Sequence, residues 1–190
     1  MSDNLKINDQ LNLVLPVRRA DGRTFWVHSM PISAEVFANF YDPIARVFNK
    51  LYGGGIGIIA GPKIAYFALR DLCTQAGTWD GVNGIENTLC NEVWRLTNVL
   101  LPGANGWDMF PFSDVIRKNM MTAREIQEVK NILIFFIVNF SMHSPQVMRG
   151  IMMFSQNTWE ARVTSLNCTE FKNSSEISTG GVNSGGTAAA

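Results

Sequence analysis

The fold of this chain is decided by residues 122–143, which read TAREIQEVKNILIFFIVNFSMH. Thr122 followed three residues later by Glu125 has the form of a capping box, in which each side chain accepts a hydrogen bond from the other residue's backbone amide. A helix is therefore predicted to begin here. One apolar stripe of the usual core-facing kind is formed by Ile126, Val129, Leu133, Phe136, Ile137 and Phe140.

Three further apolar residues of this helix, Ile134, Phe135 and Val138, lie outside that stripe. The second half of the helix is thus apolar nearly all round, and such a helix must be central in a core, in a membrane or covered by a partner. The apolar block over 132–140 is interrupted by Asn139 and is shorter than the roughly 20 residues that cross a bilayer. The sequence therefore favours core or interface, and these three residues are candidates for partner binding.

The composition predicts one neutral, weakly charged domain. The chain has 190 residues, of which 17% are charged, and its sixteen basic and sixteen acidic residues cancel. A usual charged fraction is about 25%. We therefore expect no binding to nucleic acid or to an anionic membrane surface.

The cysteines and the N-terminus predict a reducing compartment. Cys73, Cys90 and Cys168 are odd in number and lack metal-ligand spacing, so buried reduced thiols are favoured over a disulfide framework or a zinc site. The first four residues are polar and acidic, without the basic and apolar segments of a signal peptide. We expect the protein to stay in the cytoplasm where it is made.

The rest of the chain reads as a hairpin followed by helices. Residues 11–30 predict a β-hairpin that turns at Asp21-Gly22. Helical spacing governs the remainder, so we expect a mainly α fold, with a helical body of about five helices, in a single domain over residues 1–171. Residues 172–190 are rich in Ser, Thr, Gly, Asn and Ala and predict a disordered C-terminal tail, since they cannot bury enough apolar surface.

Local signals divide the helical body. Pro43 should break or kink a first helix. Residues 52–61 predict a glycine-rich joint, and Pro62 suits the first turn of the next helix. A further helix is marked by Ile85, Leu89, Val93, Leu96 and Leu100. A loop is then predicted around Trp107, Phe110, Pro111 and Phe112.

No residues show the pattern of a catalytic, cofactor-binding or metal site. His28 and His143 fall in different elements, and neither is accompanied by a recognisable nucleophile and acid. Gly61-Pro62-Lys63 lacks the Gly-Lys-Ser/Thr ending of a phosphate loop. We therefore expect a protein that is not an enzyme and that needs no cofactor or metal.

Methionine is concentrated in the C-terminal half of the chain. Met148, Met152 and Met153 lie on a predicted last helix that follows Ser144-Pro145. Methionine is flexible and polarizable, so it serves either as core filler or as an adaptable surface that accepts varied apolar partners. The second interpretation makes these three residues further candidates for partner binding.

Several short segments, in this order, resemble the tail assembly chaperones of long-tailed bacteriophages. The resemblance covers most of the chain in outline, from the hairpin through the helical body to the polar tail. It rests on Leu15-Pro16-Val17, Asp21-Gly22, Ser29-Met30-Pro31-Ile32-Ser33, Gly61-Pro62-Lys63 and the segment Thr164 to Glu170.

The resemblance implies a non-catalytic late phage protein of the host cytoplasm that is absent from the mature virion. Such a protein binds the tape measure protein, recruits tail tube protein subunits and can self-associate. Two alternatives stay open: a structural virion component, such as a tail completion or adaptor protein, and a small membrane-associated phage protein built around residues 51–69 and 129–141.

Overall fold

The structure is a computed structural model that describes residues 11–19, 21–104, 106–174 and 177. In this part of the chain an antiparallel sheet packs against a layer of helices. The sheet has the strand order β4-β3-β2-β1-β5 and consists of β1 (Asn12–Arg18), β2 (Thr24–Ser29), β3 (Thr97–Gly103), β4 (Gly106–Pro111) and β5 (Arg162–Thr164). The helices are α1 (Ala34–Asn39), α2 (Tyr41–Gly53), α3 (Gly57–Gln75), α4 (Asn91–Arg95), α5 (Phe112–Arg117), α6 (Ala123–Met142), α7 (Pro145–Trp159) and α8 (Cys168–Lys172), with a π-helical turn at Glu86–Cys90.

The prediction of a mainly α fold is wrong, because the described residues form a mixed structure of eight α-helices and a five-stranded sheet. The predicted hairpin is present as β1 and β2, but it lies inside a larger sheet. The sequence spacing predicts one helix that includes Leu96 and Leu100, and this prediction is wrong: α4 ends at Arg95 and β3 begins at Thr97. The Thr97 side chain fixes this change, since its hydroxyl donates to the Val93 carbonyl at 2.8 Å.

The sequence pattern does not predict the strand β3, because both of its faces are buried. Val99 packs into the main core between sheet and helices, while Leu100 packs on the opposite face of the sheet. An apolar run of this kind lacks the alternation that marks a strand with one wet face. The predicted loop around Trp107 is the edge strand β4, which pairs with β3 from Asn98↔Pro111 to Gly103↔Gly106.

The helix α6 begins as predicted and is the centre of the helical layer. Thr122 Oγ1 accepts a hydrogen bond from the Glu125 amide at 3.3 Å, and a Glu125 carboxylate oxygen accepts one from the Thr122 amide at 2.7 Å. The helix packs mainly against α3 and α2. Its second apolar face is therefore core, with Ile134, Phe135 and Val138 each no more than 2% exposed.

Two buried asparagines attach α6 to its neighbours. Asn131 Oδ1 accepts a hydrogen bond from the Tyr66 amide of α3 at 3.0 Å. Asn139 Oδ1 accepts one from the Tyr52 hydroxyl of α2. Because each buried amide has a defined partner, these contacts set the position of α6 along both helices.

The predicted boundaries around the first helices are partly right. The chain divides at Phe40 into α1 and α2, which places Pro43 in the first turn of α2, where proline is tolerated. The predicted joint over 52–61 is shorter than expected, since α2 runs to Gly53 and α3 already begins at Gly57. Pro62 therefore lies inside α3.

The face of the sheet that points away from the main helical layer is covered by the C-terminal segment. Phe171 and Ile177 are fully buried against Val14, Trp26 and Leu100 of the three central strands. The predicted disordered tail, 172–190, lies outside the described residues except for 172–174 and 177. Within those, Lys172 ends α8 and Ile177 belongs to this second cluster.

Candidate functional site

The predicted partner-binding residues divide into a buried group and one exposed residue. Ile134, Phe135 and Val138 lie in the core of α6, as described above. Met148 and Met152 are also buried, at 0% and 2% exposure, and belong to the same core. Met153 is 70% exposed and is the member of the set that a partner could reach directly.

Met153 is one of three large apolar residues on the outer side of α7. The helix begins where Ser144 Oγ accepts a hydrogen bond from the Val147 amide and where Pro145 occupies the first turn. Val147 and Phe154 accompany Met153 on the outside and are 47% and 45% exposed. Arg149 is the single charged residue between Pro145 and Trp159, so the surface of this helix is unusually poor in charge.

A second feature is a cleft of about 500 Å³ between the sheet and the helices. Its walls come from three neighbouring elements and from the end of α7. The strand β1 contributes residues 15–18, and α7 contributes Trp159. Two helices complete the lining, with Pro62, Lys63 and Phe67 from α3 and with Arg124, Gln127, Glu128, Val129, Asn131 and Ile132 from α6.

The cleft opens where one strand stops short. The strand β5 pairs with β1 only from Asn12 to Val14, so the second half of β1 has a free edge on that side. Glu160, a non-glycine residue with φ of 56° that caps the end of α7, contacts this part of β1 through its side chain. Arg18 of β1 donates two hydrogen bonds to the Glu160 carboxylate, at 3.0 and 3.1 Å. These bonds connect the strand to the end of α7.

Positive charge exceeds negative charge in the lining. Arg18, Lys63 and Arg124 face the cleft together with one acid, Glu128. Arg124 donates to Glu128 at 3.0 Å, but this pair is highly exposed and therefore weak. The Lys63 ammonium lies 4.8 Å from the centre of the Trp159 ring, a cation–π contact, and it has no carboxylate within 4.0 Å among the described residues.

Two hydrogen-bond donors of the lining are buried without a partner in the described part of the chain. They are Gln127 Nε2 and Trp159 Nε1. A buried donor without an acceptor costs free energy, so such a group calls for a specific explanation. Both residues line the cleft, but these two nitrogen atoms have almost no exposed surface, so a ligand in the cleft would not contact them directly.

The histidines have packing roles in this structure. His28 Nε2 lies 2.9 Å from the Leu166 carbonyl oxygen, and burial lowers the pKa of this imidazole. His143 packs edge-on against Phe48 and Tyr52 at the end of α6, with ring centroids 5.3 and 6.1 Å away. Neither side chain faces the cleft.

The three cysteines are free thiols, of which Cys73 and Cys90 are buried as predicted and Cys168 is half-buried. Burial raises the pKa of Cys90 to about 12 and that of Cys168 to about 11. Since the thiolate is the reactive form, these side chains are poor nucleophiles. Over the described ranges, no group of three or more His, Cys, Asp or Glu residues is placed to hold a metal ion.

Sequence reasoning did not find the cleft. It singled out Leu15-Pro16-Val17 and Gly61-Pro62-Lys63 as parts of a resemblance, without assigning them to a common site. The walls are drawn from residues 15 to 159, so no local spacing could have joined them. In the described part of the chain, no helix is long and apolar enough to cross a membrane.

Comparison of the chain with family models, with curated proteins and with solved structures found no match.

Proposed function

We propose that this protein is a non-catalytic tail assembly chaperone that binds the tape measure protein of a long-tailed phage. On this proposal it acts in the host cytoplasm, recruits tail tube subunits and is absent from the mature virion. The family resemblance supplies the identity of the partners. The structural support concerns the type of surface such a task needs.

The observation that carries the proposal is the outer face of α7. Val147, Met153 and Phe154 are large apolar side chains that are roughly half exposed or more, on a helix with one charged residue. An exposed apolar face on a soluble protein marks a surface for binding. Methionine on this face suits a client whose apolar side chains vary along its length, because its side chain adapts to different shapes.

The buried candidates serve this surface indirectly. Met148 and Met152 hold the inner side of α7 against the core, so the outer residues are presented on a helix with a fixed inner side. The apolar stripe of a long helical client can then pack along α7, as amphipathic helices do in apolar grooves. Binding of this kind requires no turnover and no cofactor.

Co-expression with the large helical protein encoded nearby tests the proposal. A holdase that covers aggregation-prone surface should keep that client soluble and should copurify with it and with tail tube protein. The double variant Met153→Asp, Phe154→Asp should lose the client while staying folded, because both residues are exposed. Val82→Asp is the matched control, since Val82 is 88% exposed in a loop remote in sequence from α7.

Two outcomes would contradict the proposal. The first is a client that stays insoluble with the wild-type protein. The second is a stoichiometric amount of this protein in purified virions, measured by mass spectrometry, which would favour the structural component of the particle instead.

A further inference from the structure

We infer that the cleft between β1, α3, α6 and Trp159 binds an acidic, apolar segment of the partner polypeptide. The inference deepens the proposed function and rests on it for the polypeptide nature of the occupant. It assigns a second contact with the partner, distinct from the outer face of α7. This contact depends on the charge of the partner as well as on its apolar surface.

The first argument is charge complementarity. The whole chain is neutral, and the cleft lining has three cationic side chains, Arg18, Lys63 and Arg124, with the single acid Glu128. Arg18 is paired with Glu160 and Arg124 with Glu128, so the charge that a ligand would meet is that of Lys63. Lys63 has a ring beneath it and no carboxylate within reach in the described part of the chain. A carboxylate entering the cleft would therefore meet a cation whose charge is not yet paired, which favours acidic over basic ligands.

The second argument is a carboxylate already present at the cleft's edge. Glu160 accepts two hydrogen bonds from Arg18 across the free edge of β1. Its backbone is left-handed at φ 56°, a conformation that non-glycine residues rarely adopt. Arg18 lines the cleft and already holds one carboxylate, so a ligand carboxylate would have to compete with Glu160 for this guanidinium.

The third argument concerns the remaining walls. Trp159 and Phe67 offer aromatic surface, which suits apolar side chains better than an inorganic anion. Pro16 has no amide hydrogen to offer at the free edge, so we expect the segment to bind through side chains and not as a sixth strand.

The test uses two synthetic amphipathic peptides with the same leucine stripe, one carrying Glu and the other Lys on its polar face. Binding is followed by NMR through the indole N–H resonance of Trp159. The resonance is identified by its loss in the variant Trp159→Phe. The Glu peptide should shift this resonance, and the Lys peptide should not. The double variant Lys63→Glu, Arg124→Glu should bind the Glu peptide roughly tenfold or more weakly.

The control is Lys118→Glu, the same reversal at an exposed lysine beside Phe110, on the opposite edge of the sheet. It should bind the Glu peptide as the wild type does. Equal binding of both peptides, or binding that the double variant leaves unchanged, would overturn the inference. A resonance that responds to inorganic phosphate and to neither peptide would overturn it as well.

The same variants separate this inference from the proposed function. If the Glu peptide binds in the cleft but the tape measure protein is not retained, the proposed function fails and the cleft assignment stands. If the client is retained equally by the wild type and by Lys63→Glu, Arg124→Glu, the cleft assignment fails and the proposed function stands.

Discussion

A close contact between two helices of the core provides a sharp test of the packing. Gly61 of α3 lies under the ring of Phe135 of α6, and a Cβ at position 61 would lie 2.6 Å from Phe135 Cε2 and 2.8 Å from Cδ2. Phe135 is 2% exposed and has no free space to move into without disturbing the core. The change Gly61→Ala should therefore overpack this crossing.

The expected magnitude follows from two opposing effects. Overpacking a core costs about 1 to 3 kcal/mol, while replacing a helical glycine by alanine gains about 1 kcal/mol in helix propensity. We expect a net loss of roughly 0 to 2 kcal/mol in the free energy of unfolding, against a gain at a site without a steric clash. For a chain of this size, that loss lowers the melting temperature by about 2 to 4 °C per kcal/mol.

Gly150→Ala is the matched control. Gly150 lies inside α7, and a Cβ there would meet nothing within 4 Å. Without a steric cost, this change should stabilise the protein by about 0.5 to 1 kcal/mol. Urea denaturation of both variants gives the two free energies on the same scale.

Phe135→Leu completes the test because it removes the ring that the new methyl group would strike. In a double-mutant cycle, Gly61→Ala should be less harmful beside Leu than beside Phe, with a coupling of about 1 kcal/mol. If Gly61→Ala is as stable as Gly150→Ala, or if its effect simply adds to that of Phe135→Leu, the close contact does not restrict this crossing and the reasoning is refuted.

The elements that sequence rules found are those whose signals are local. The capping box of Thr122 and Glu125 fixes the start of α6 within three residues, and both of its hydrogen bonds are present. The hairpin of β1 and β2 depends on a turn between adjacent strands, where Gly22 adopts φ of +82°. Each signal needs no knowledge of the rest of the chain.

The elements that sequence rules missed depend on distant residues. Leu100 is buried on the outer face of the sheet by Phe171 and Ile177, which lie more than 70 residues later in the chain. Its spacing from Val93 and Leu96 therefore looked helical. The short strand β5 exists because Arg162, Val163 and Thr164 meet the first half of β1, and so few residues show no periodicity of their own.

The ambiguity of α6 was also resolved by a distant residue. An apolar surface all round the helix is compatible with a core, a membrane or a partner. The structure gives the core, since Gly61 lets α3 approach Phe135 closely enough to cover the second face. Gly61, the last residue of the predicted glycine-rich joint, thus allows close packing between two helices. The cleft beside this contact has walls from several elements, so neither helix alone predicts it.

Four further predictions concern three buried side chains and the C-terminal residues, all away from that crossing. Burial lowers the pKa of His28 below its ordinary 6.5, so its contribution to stability should be complete above pH 6.5 and should fall as the pH decreases below it; His28→Gln should remove this part of the pH dependence in urea titrations. Tyr52→Phe takes the hydroxyl donor from the fully buried Asn139 and should cost about 1 to 3 kcal/mol. Ile177→Ala should cost about 2 kcal/mol or more, because this side chain is 1% exposed and covers the outer face of the sheet. Deletion of residues 178–190, which are Ser, Thr, Gly, Asn and Ala apart from one valine, should leave the melting temperature unchanged. Comparison of Ile177→Ala with the deletion locates the end of the folded domain. Equal losses of stability in both would show that the segment after Ile177 also contributes to the fold. No loss in either would show that the C-terminal segment does not stabilise the sheet.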